Sequence, residues 1–445
     1  MTERSSMKKV PWNEGDAATA AALATLLPDP LVDDVAELIF HRLPPRSLAA
    51  SRCVAPSWNR LLSSPAFAAR YHAARAAAGA PRFVSVPVDR SGPLHLRVET
   101  PGPREFPVAR SIECVDCPRV FSGAGKTCHG LVLVGKPCKG QFYVCNPSTG
   151  GVFRLLPRRP STCFHSAGFG YDAGAGVHKV VVPERSLQIP RLDAVVLTVG
   201  APRLCWRHPI GTVPHREDAL VSTTTDPVSA NGRLHWMMLP APMELGARGG
   251  GALACVLAFV LSDESFRQIP LPPFAMESVA ANGQAHPPEY ATLAELDGRL
   301  CLLRDLRYRR DAVALFEVWR LHEFESMAWS LDCRIDPAGQ VRKELRRPWA
   351  GEVFLLCYAG GDTSGQSRKM LLANTTWEVQ MYDVDTGELR TVAKPKGIPP
   401  RYLRLLLHEE CLLHIHGMQY GKKADIKFEP LSDYRQDVWL EFLSS

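Results

Sequence analysis

Two periodicities divide the chain. Between residues 26 and 80 apolar positions recur at helical spacing, and from residue 82 onward they fall in short runs broken by turn residues. In the first stretch Asp29 is placed to cap a helix that opens at Pro30. Leu31, Val35, Leu38 and Ile39 then lie at i, i+4, i+7 and i+8, one apolar face. Leu43-Pro44-Pro45 ends this helix, because proline disfavours the α conformation in the residue before it. Ser47 predicts the cap of a second short helix carrying Leu48 and Cys53, and Pro56 predicts the start of a third with Trp58, Leu61 and Leu62. Ser64-Pro65 repeats the cap-then-proline start, with Phe67 and Tyr71 one turn apart, and the alanine-rich stretch stops at Gly79 and Pro81. Residues 1–25, polar and then alanine-rich, predict a flexible tail. A helical unit of roughly fifty residues is small for an independent fold. Each large side chain it buries contributes about 1.5–3 kcal/mol, so its apolar faces call for a further surface, either the rest of the chain or a partner.

Past residue 82 one pattern recurs: a turn, then a half-buried strand. It is seen in Cys128-His129-Gly130-Leu131-Val132, Asn231-Gly232-Arg233-Leu234-His235-Trp236 and Asp297-Gly298-Arg299-Leu300-Cys301. Glu352–Cys357 and Glu410–Ile415 are relatives without the turn glycine, and they too predict strands. A second pattern pairs two strands across a polar turn, as in Cys145-Asn146-Pro147-Ser148-Thr149-Gly150 and Tyr382-Asp383-Val384-Asp385-Thr386-Gly387, a hairpin signature. Together the two recur at roughly 50–65 residues, near the range of four-stranded propeller blades. Stacking such sheets around an axis buries faces that a single sheet leaves open. The expectation is therefore an α+β multidomain chain. A small all-α unit (26–80) precedes a large all-β, kelch-like propeller of about six blades (82–445), with a β-sandwich plus a second β-domain as the alternative.

Composition narrows the function. The 445 residues are 46% hydrophobic and 22% charged, an ordinary globular balance. The longest apolar run, Gly251–Leu261, is too short for a membrane span, and no basic-then-apolar leader opens the chain. A net charge of +6 is mild over this length. The clusters at 307–310 and 342–347 read as solvated loops, so neither nucleic acid nor membrane is an expected partner. Thirteen irregularly spaced cysteines without an export signal imply reduced thiols, in the cytosol or nucleus.

Leu31 to Leu48, containing Arg42-Leu43-Pro44 and Ser47-Leu48, together with Arg52 to Phe67, containing Val54-Ala55-Pro56-Ser57-Trp58 and Ser64-Pro65-Ala66-Phe67, resemble an F-box. Ala55-Pro56 stands where the family has Cys-Lys or Cys-Arg, and Leu31-Val32 where it has Leu-Pro. The remainder is similar to the propeller-like domain of plant F-box proteins, through Cys128-His129-Gly130-Leu131, Asn146-Pro147-Ser148-Thr149-Gly150, Phe169-Gly170-Tyr171-Asp172, Asn231–Trp236 and Tyr382-Asp383-Val384. The resemblance implies a substrate-recognition adaptor. It would bind a Skp-type linker, and through it a cullin, by Leu31, Val35, Leu43, Pro44, Leu48, Val54, Trp58 and Leu61. Its β-domain would hold a target protein. It implies no cofactor, no metal and no catalysis. Two rivals stay open: a scaffold in which the helices only cap the propeller, and an enzyme with its site in the propeller channel.

Three motifs invite other readings. Gly123-Ala124-Gly125-Lys126-Thr127 resembles the end of a phosphate-binding loop, but Val120 stands where the first glycine belongs and a strand, not a helix, follows. Cys114, Cys117, Cys128 and His129 could supply four zinc donors, yet adjacent residues of a strand point to opposite faces. Trp206, Trp236, Trp319, Trp329 and Trp377 fall in or beside strands, where packing between blades is the default, and His235 and His414 are expected inside strands as packed residues.

Overall fold

The computed structural model describes residues 30–77, 82–87, 97–99, 119–120, 126–136, 141–157, 166–185, 192–214, 219–221, 226–240, 254–274, 291–307, 314–336, 353–359, 368–374, 379–393 and 403–419. The sequence readings of the tail, of Cys114 and Cys117, of Trp377 and of 342–347 lie outside these residues.

Four helices come first: α1 (Pro30–Phe40), α2 (Pro45–Ser51), α3 (Pro56–Leu62) and α4 (Pro65–Ala77). All four open on a proline, whose fixed φ suits the first helical turn and whose missing N–H would have had no partner there. Ser64 caps α4, accepting from the Phe67 amide at 3.1 Å. The second helix differs from expectation. It starts two residues before Ser47, on Pro45, with Pro44 extended at the cap position, and the Ser47 carbonyl accepts from Ser51 Oγ at 2.9 Å.

The strands among the described residues form six antiparallel sheets. β1 (Arg82–Pro87) and β2 (Arg97–Glu99) open the β-domain, and β3 (Arg119–Val120), β4 (Val132–Lys136), β5 (Gln141–Asn146) and β6 (Gly151–Arg154) form the next sheet. Then come β7 (Gly168–Asp172), β8 (Val177–Arg185) and β9 (Leu192–Thr198). β10 (Ala219–Val221), β11 (Val228–Ala230), β12 (Arg233–Pro240), β13 (Cys255–Val260) and β14 (Phe266–Pro270) make a fourth sheet. β15 (Ala291–Leu296), β16 (Arg299–Asp305), β17 (Phe316–Glu323) and β18 (Ala328–Ile335) make a fifth. β19 (Val353–Ala359), β20 (Lys369–Asn374), β21 (Val379–Asp383) and β22 (Leu389–Ala393) make the last. β23 (Leu403–His408) returns to pair with β1, Phe83 opposite Leu407, while Lys126 bridges Leu407 from the second sheet. First and last strands thus share one sheet, which closes the ring without a free end. The sandwich alternative falls with this closure.

The cores lie between consecutive sheets. Val181, Val196, Trp236 and Phe259 join the third sheet to the fourth, and Val256, Ile269, Leu293 and Leu302 join the fourth to the fifth. The third to sixth sheets each carry a core on both faces, and strands buried on both sides, such as β5 and β13, read as continuous apolar runs instead of alternating. Close approach shapes the sequence too. A Cβ on Gly168 would meet Trp236 Cζ2 at 2.5 Å, so glycine there lets the indole approach β7 closely.

The recurring turns have one geometry. His129-Gly130, Asn231-Gly232 and Asp297-Gly298 each have positive φ at both residues (48° and 76°, 47° and 69°, 50° and 77°), the two-residue turn whose twist matches the flanking strands. The polar hairpins also share a plan. The side chains of Asn146, Asp172 and Asp383 accept amides two and three residues on, and the turns close on left-handed Gly150, Gly176 and Gly387.

Three expectations fail. Residues 410–415 are not a strand. Asn146 Nδ2 donates to the Cys411 and Leu413 carbonyls at 3.1 and 3.0 Å, so this backbone bonds to a side chain instead of a ladder. His414 is accordingly exposed. Arg307 is not solvated; it folds onto Asp305 at 2.6 Å with its side chain buried.

Candidate functional site

Two surfaces stand out: the helical unit and the mouth of the β-ring. Within the helices Phe40, Leu48, Leu62, Phe67 and Tyr71 form a closed core, joined by Leu412 from the β-domain. Phe40 is its centre, 5.0 Å edge-on from Trp58 and 6.5 Å from Phe67. Tyr71 donates to the Leu43 carbonyl at 2.8 Å. Arg52 Nη2 donates both to the Leu62 carbonyl (2.7 Å) and to that of Leu412 (3.2 Å), tying helices to β-domain.

The sequence-predicted contact residues divide accordingly. Val35 (53% exposed) and Val54 (67%) face outward, as do Leu38 (60%) and Ile39 (52%). Leu43, Trp58 and Leu61 are half-buried against the core, and Pro44 is half-buried at the start of α2. Leu48 is fully buried within the helical unit. It is a core residue and not the partner contact expected of it, because its side chain already has full packing inside the chain. Leu31 lies in α1, and its side chain is outside the described set. Val35, Leu38 and Ile39 of the expected face thus do not pack the unit. Ala36 and Phe40, on another side of α1, do so, and the expected core stripe is left as an outer one.

At the ring's mouth the turns converge on a cavity of about 290 Å³. Lys126, His129, Tyr171, Asn231, Glu295 and Glu409 line it. Five of the six sheets supply its walls, because its lining residues sit in or beside the turns and at the ends of inner strands. Lys126 Nζ meets Glu295 Oε2 at 2.5 Å. The lysine of the phosphate-loop resemblance is therefore held by a carboxylate, on a segment bridged to β23. The His129 and Tyr171 rings meet at a tilt with centres 4.2 Å apart, and buried His178 contacts both. Burial, and then the charge of His129, push His178 down to about 4, so it is neutral at pH 7.

Burial, with Glu409 and Cys411 nearby, pushes the Cys128 thiol up to about 12, leaving it neither a nucleophile nor a metal-binding thiolate at pH 7. No group of metal-ligating side chains occurs among the described residues, and the nine described cysteines are free thiols. Of the tryptophans, Trp236 is buried, while Trp206 and Trp329 donate to the Leu156 and Pro270 carbonyls at 2.9 and 2.8 Å, each stitching the outer edge of one sheet to the preceding one. Sequence reasoning missed Tyr171, Glu295 and Glu409. Their signal was position: each lies within two residues of the end of an inner strand or of a turn glycine.

Comparison with known families agrees with this architecture. The model of the F-box domain matches residues 30–69, and that of the F-box associated beta propeller domain matches 109–397. Neither is an enzyme family. An F-box protein of Arabidopsis thaliana is 26% identical over 313 residues, covering 67% of this chain and 77% of that one. A putative F-box/kelch-repeat protein of the same plant is 24% identical over 315 residues, covering 67% and 70%. Among solved structures, a chain of a nidogen/laminin complex is similar with a TM-score of 0.34 and 9% identity over 75% of this chain and 100% of that one, too distant to bear on function. No described helix is long and apolar enough to cross a membrane.

Proposed function

Because the chain belongs to the F-box proteins that carry an F-box associated beta propeller domain, we propose that it is the substrate-recognition adaptor of a Skp–cullin–F-box type ubiquitin ligase. Its helical unit (26–80) docks on a Skp-type linker, and its β-domain (82–445) holds a target protein through the turn-bearing mouth. It works in the cytosol or nucleus. It supplies position and effective concentration, while a separate enzyme carries and transfers ubiquitin.

The observation that carries this reading is the outward stripe Val35, Leu38 and Ile39, with Val54, on a unit whose own core is already closed. An apolar stripe has no stabilising role facing water, whereas a partner's surface would bury it. The β-domain side has a matching feature. Glu409 lines the cavity and Leu412, three residues on, is embedded in the helical core. A short strut thus fixes the target's position relative to the linker.

Co-purification with a Skp-type linker tests the reading. Val35 and Ile39 are each about half exposed, so docking gains about half of the ~1.5–3 kcal/mol of full burial at each. Val35→Asp with Ile39→Asp should weaken capture by roughly ten- to a hundredfold, with the melting profile unchanged, since both side chains already face water. Undiminished capture by this variant would refute the docking mode. It would favour the capping scaffold, whose support is the burial of Leu48 and the Leu412 contact. Pro44→Ala with Trp58→Ala is less discriminating, because Trp58 also packs on Phe40.

A further inference from the structure

The mouth cavity, at about 290 Å³, falls just under the roughly 300–1,000 Å³ of small-molecule sites. It has room for one long side chain and not for a helix, which is about 10–12 Å across. Its charge runs against that of the chain. The whole chain carries +6, yet the lysine and carboxylate side chains that line the cavity are Lys126, Glu295 and Glu409, and no arginine lines it. Lys126 is committed to Glu295, which also accepts the Gly298 amide, so this pair adds no net charge. Glu409 stands exposed just past the end of β23. Asp297 is exposed on the turn beside Glu295, and its carboxylate has no ion-pair partner among the described residues. The Cys357 thiol of β19 feels Lys126, Asp297 and Glu295 together, which places these three charges side by side. The described mouth thus sets one lysine against three carboxylates. Arg233 and Arg299, which follow the turn glycines, line a separate hollow between the fourth and fifth sheets.

Another part of the wall is aromatic and fixed before any ligand arrives. The turn that carries His129 is closed by two bonds between Cys128 and Leu131, each 2.9 Å. Gly130 seats it so closely on Cys411 that an added Cβ would lie 2.5 Å from the cysteine Cβ. The Tyr171 ring touches His129 at 4.2 Å and His178 at 4.8 Å between centres, and His178, being neutral, brings no charge to the wall. The Tyr171 hydroxyl and the Asn231 side-chain amide, both at the cavity, make no hydrogen bond among the described residues. Ring surface, polar groups with unused capacity and surplus carboxylate therefore meet in one prearranged hollow.

We propose that this cavity takes the guanidinium of an arginine side chain on the target protein. A guanidinium is planar and permanently charged, and it presents its N–H donors in a rigid fork. It can lie on an aromatic face while the fork reaches carboxylates and an amide carbonyl. A lysine ammonium is a compact and more strongly hydrated point charge, so it gains less from the rings. An acidic side chain would meet the surplus carboxylates and be repelled. That the arginine belongs to a target protein rests on the adaptor reading above, whereas the cation site itself does not.

Saturation-transfer NMR on the full chain, without any linker protein, tests the site with Nα-acetyl-arginine methylamide. Binding should be saturable and should weaken with added salt, because Asp297 and Glu409 face water. The citrulline analogue, of nearly the same shape without the charge, should bind about tenfold more weakly, and the lysine analogue about threefold more weakly. Asp297→Asn and Glu409→Gln should each lower the arginine affinity about threefold, and the double variant about tenfold. Asn-Gly suits the same turn as Asp-Gly, so Asp297→Asn should keep the parent's melting profile and separate lost binding from lost folding. Absence of binding, equal binding of the arginine and citrulline compounds, or unchanged affinity in the double variant overturns the site. Lysine binding as tightly as arginine overturns the assignment to a guanidinium. Undiminished linker capture by Val35→Asp with Ile39→Asp counts against the adaptor reading alone, since the titration uses no linker.

Discussion

Replacing Lys179 with methionine would leave two buried carboxylates short of their partner. Lys179 Nζ lies 3.0 Å from Asp172 Oδ2 and 3.1 Å from Glu264 Oε1, and donates to the Leu261 carbonyl at 2.6 Å. All three charged residues are nearly inaccessible, at 6%, 4% and 2% exposure. Glu264 keeps a second partner, since Arg207 grips it in bidentate fashion at 2.6 and 2.5 Å. Among the described residues Asp172 keeps only the turn amides of Gly174 and Ala175. Removing one member of a buried pair costs about 3–5 kcal/mol, and the arginine on Glu264 places this case near the lower end of that range. With a urea slope of about 1–3 kcal/mol per molar, the midpoint should fall by about 1–3 M. The pH dependence is specific. Burial pushes the Asp172 carboxyl up, but the Lys179 bond and charge together with the Ala175 and Gly174 amides outweigh it, and the group titrates below its ordinary value. Its contribution is therefore complete above the unfolded value of about 3.9 and lost as pH falls through the lower folded value. In Lys179→Met the Gly174 and Ala175 amides are left to oppose burial, the carboxyl titrates higher, and protonation relieves the variant. Urea unfolding by tryptophan fluorescence at pH 7 and pH 5 should give a wide gap between variant and parent at pH 7 and a narrower one at pH 5. A gap below about 1 kcal/mol at pH 7, or one unchanged at pH 5, would mean that the network is not what fastens β7 and β8 to the β13–β14 turn.

Two further outcomes follow from backbone and burial. Gly130→Ala places a Cβ 2.5 Å from both Cys411 Cβ and the Glu409 carbonyl oxygen at φ 76°, whereas Gly232→Ala at φ 69° meets nothing within 4 Å. Thermal melts should put the first about 2–5 kcal/mol down, from strain plus overpacking, and the second only about 1–2 kcal/mol down; equal losses would discount the clash. His178 and His235 are both pushed down to about 4 by burial. The unfolded chain, with values of about 6.5, binds more protons between those limits, so the urea midpoint should hold above about pH 6.5 and decline as pH falls from there toward about 4; a flat profile over that range would contradict their neutral burial.

Much of this fold was legible because its signals are local. Asn231-Gly232 and Asp297-Gly298 demand left-handed backbone at both turn positions, and little besides a tight hairpin satisfies that. Pro30, Pro56 and Pro65 marked helix starts for an equally local reason. What was missed depends on distant neighbours. The strand expected over residues 410–415 failed because Asn146, far away in sequence, captures the Cys411 and Leu413 carbonyls. Periodicity identified Leu31, Val35, Leu38 and Ile39 as a face but is silent on which of two apolar sides of α1 turns inward. The bulk of Phe40 decides that, by filling the gap between Trp58 and Phe67. The cavity was invisible for a related reason: Lys126, Tyr171, Glu295 and Glu409 meet only when the ring closes.

The same closure also ties the two ends of the β-domain to each other. A domain whose sheets were joined only in sequence would let its two ends drift, and the Glu409–Leu412 segment would swing with the last strand. Here β23 is clamped between β1 and the Lys126 bridge, and Asn146 holds the segment just beyond it. Leu412 then enters a core of Phe40, Leu48 and Leu62. Strand pairing, side-chain capture and apolar burial therefore act in series along this short stretch of chain. The burial of Leu48 has a structural role: it is part of the socket that fixes the helices to the ring, and Phe40 rather than the Val35, Leu38 and Ile39 side of α1 fills that socket from within.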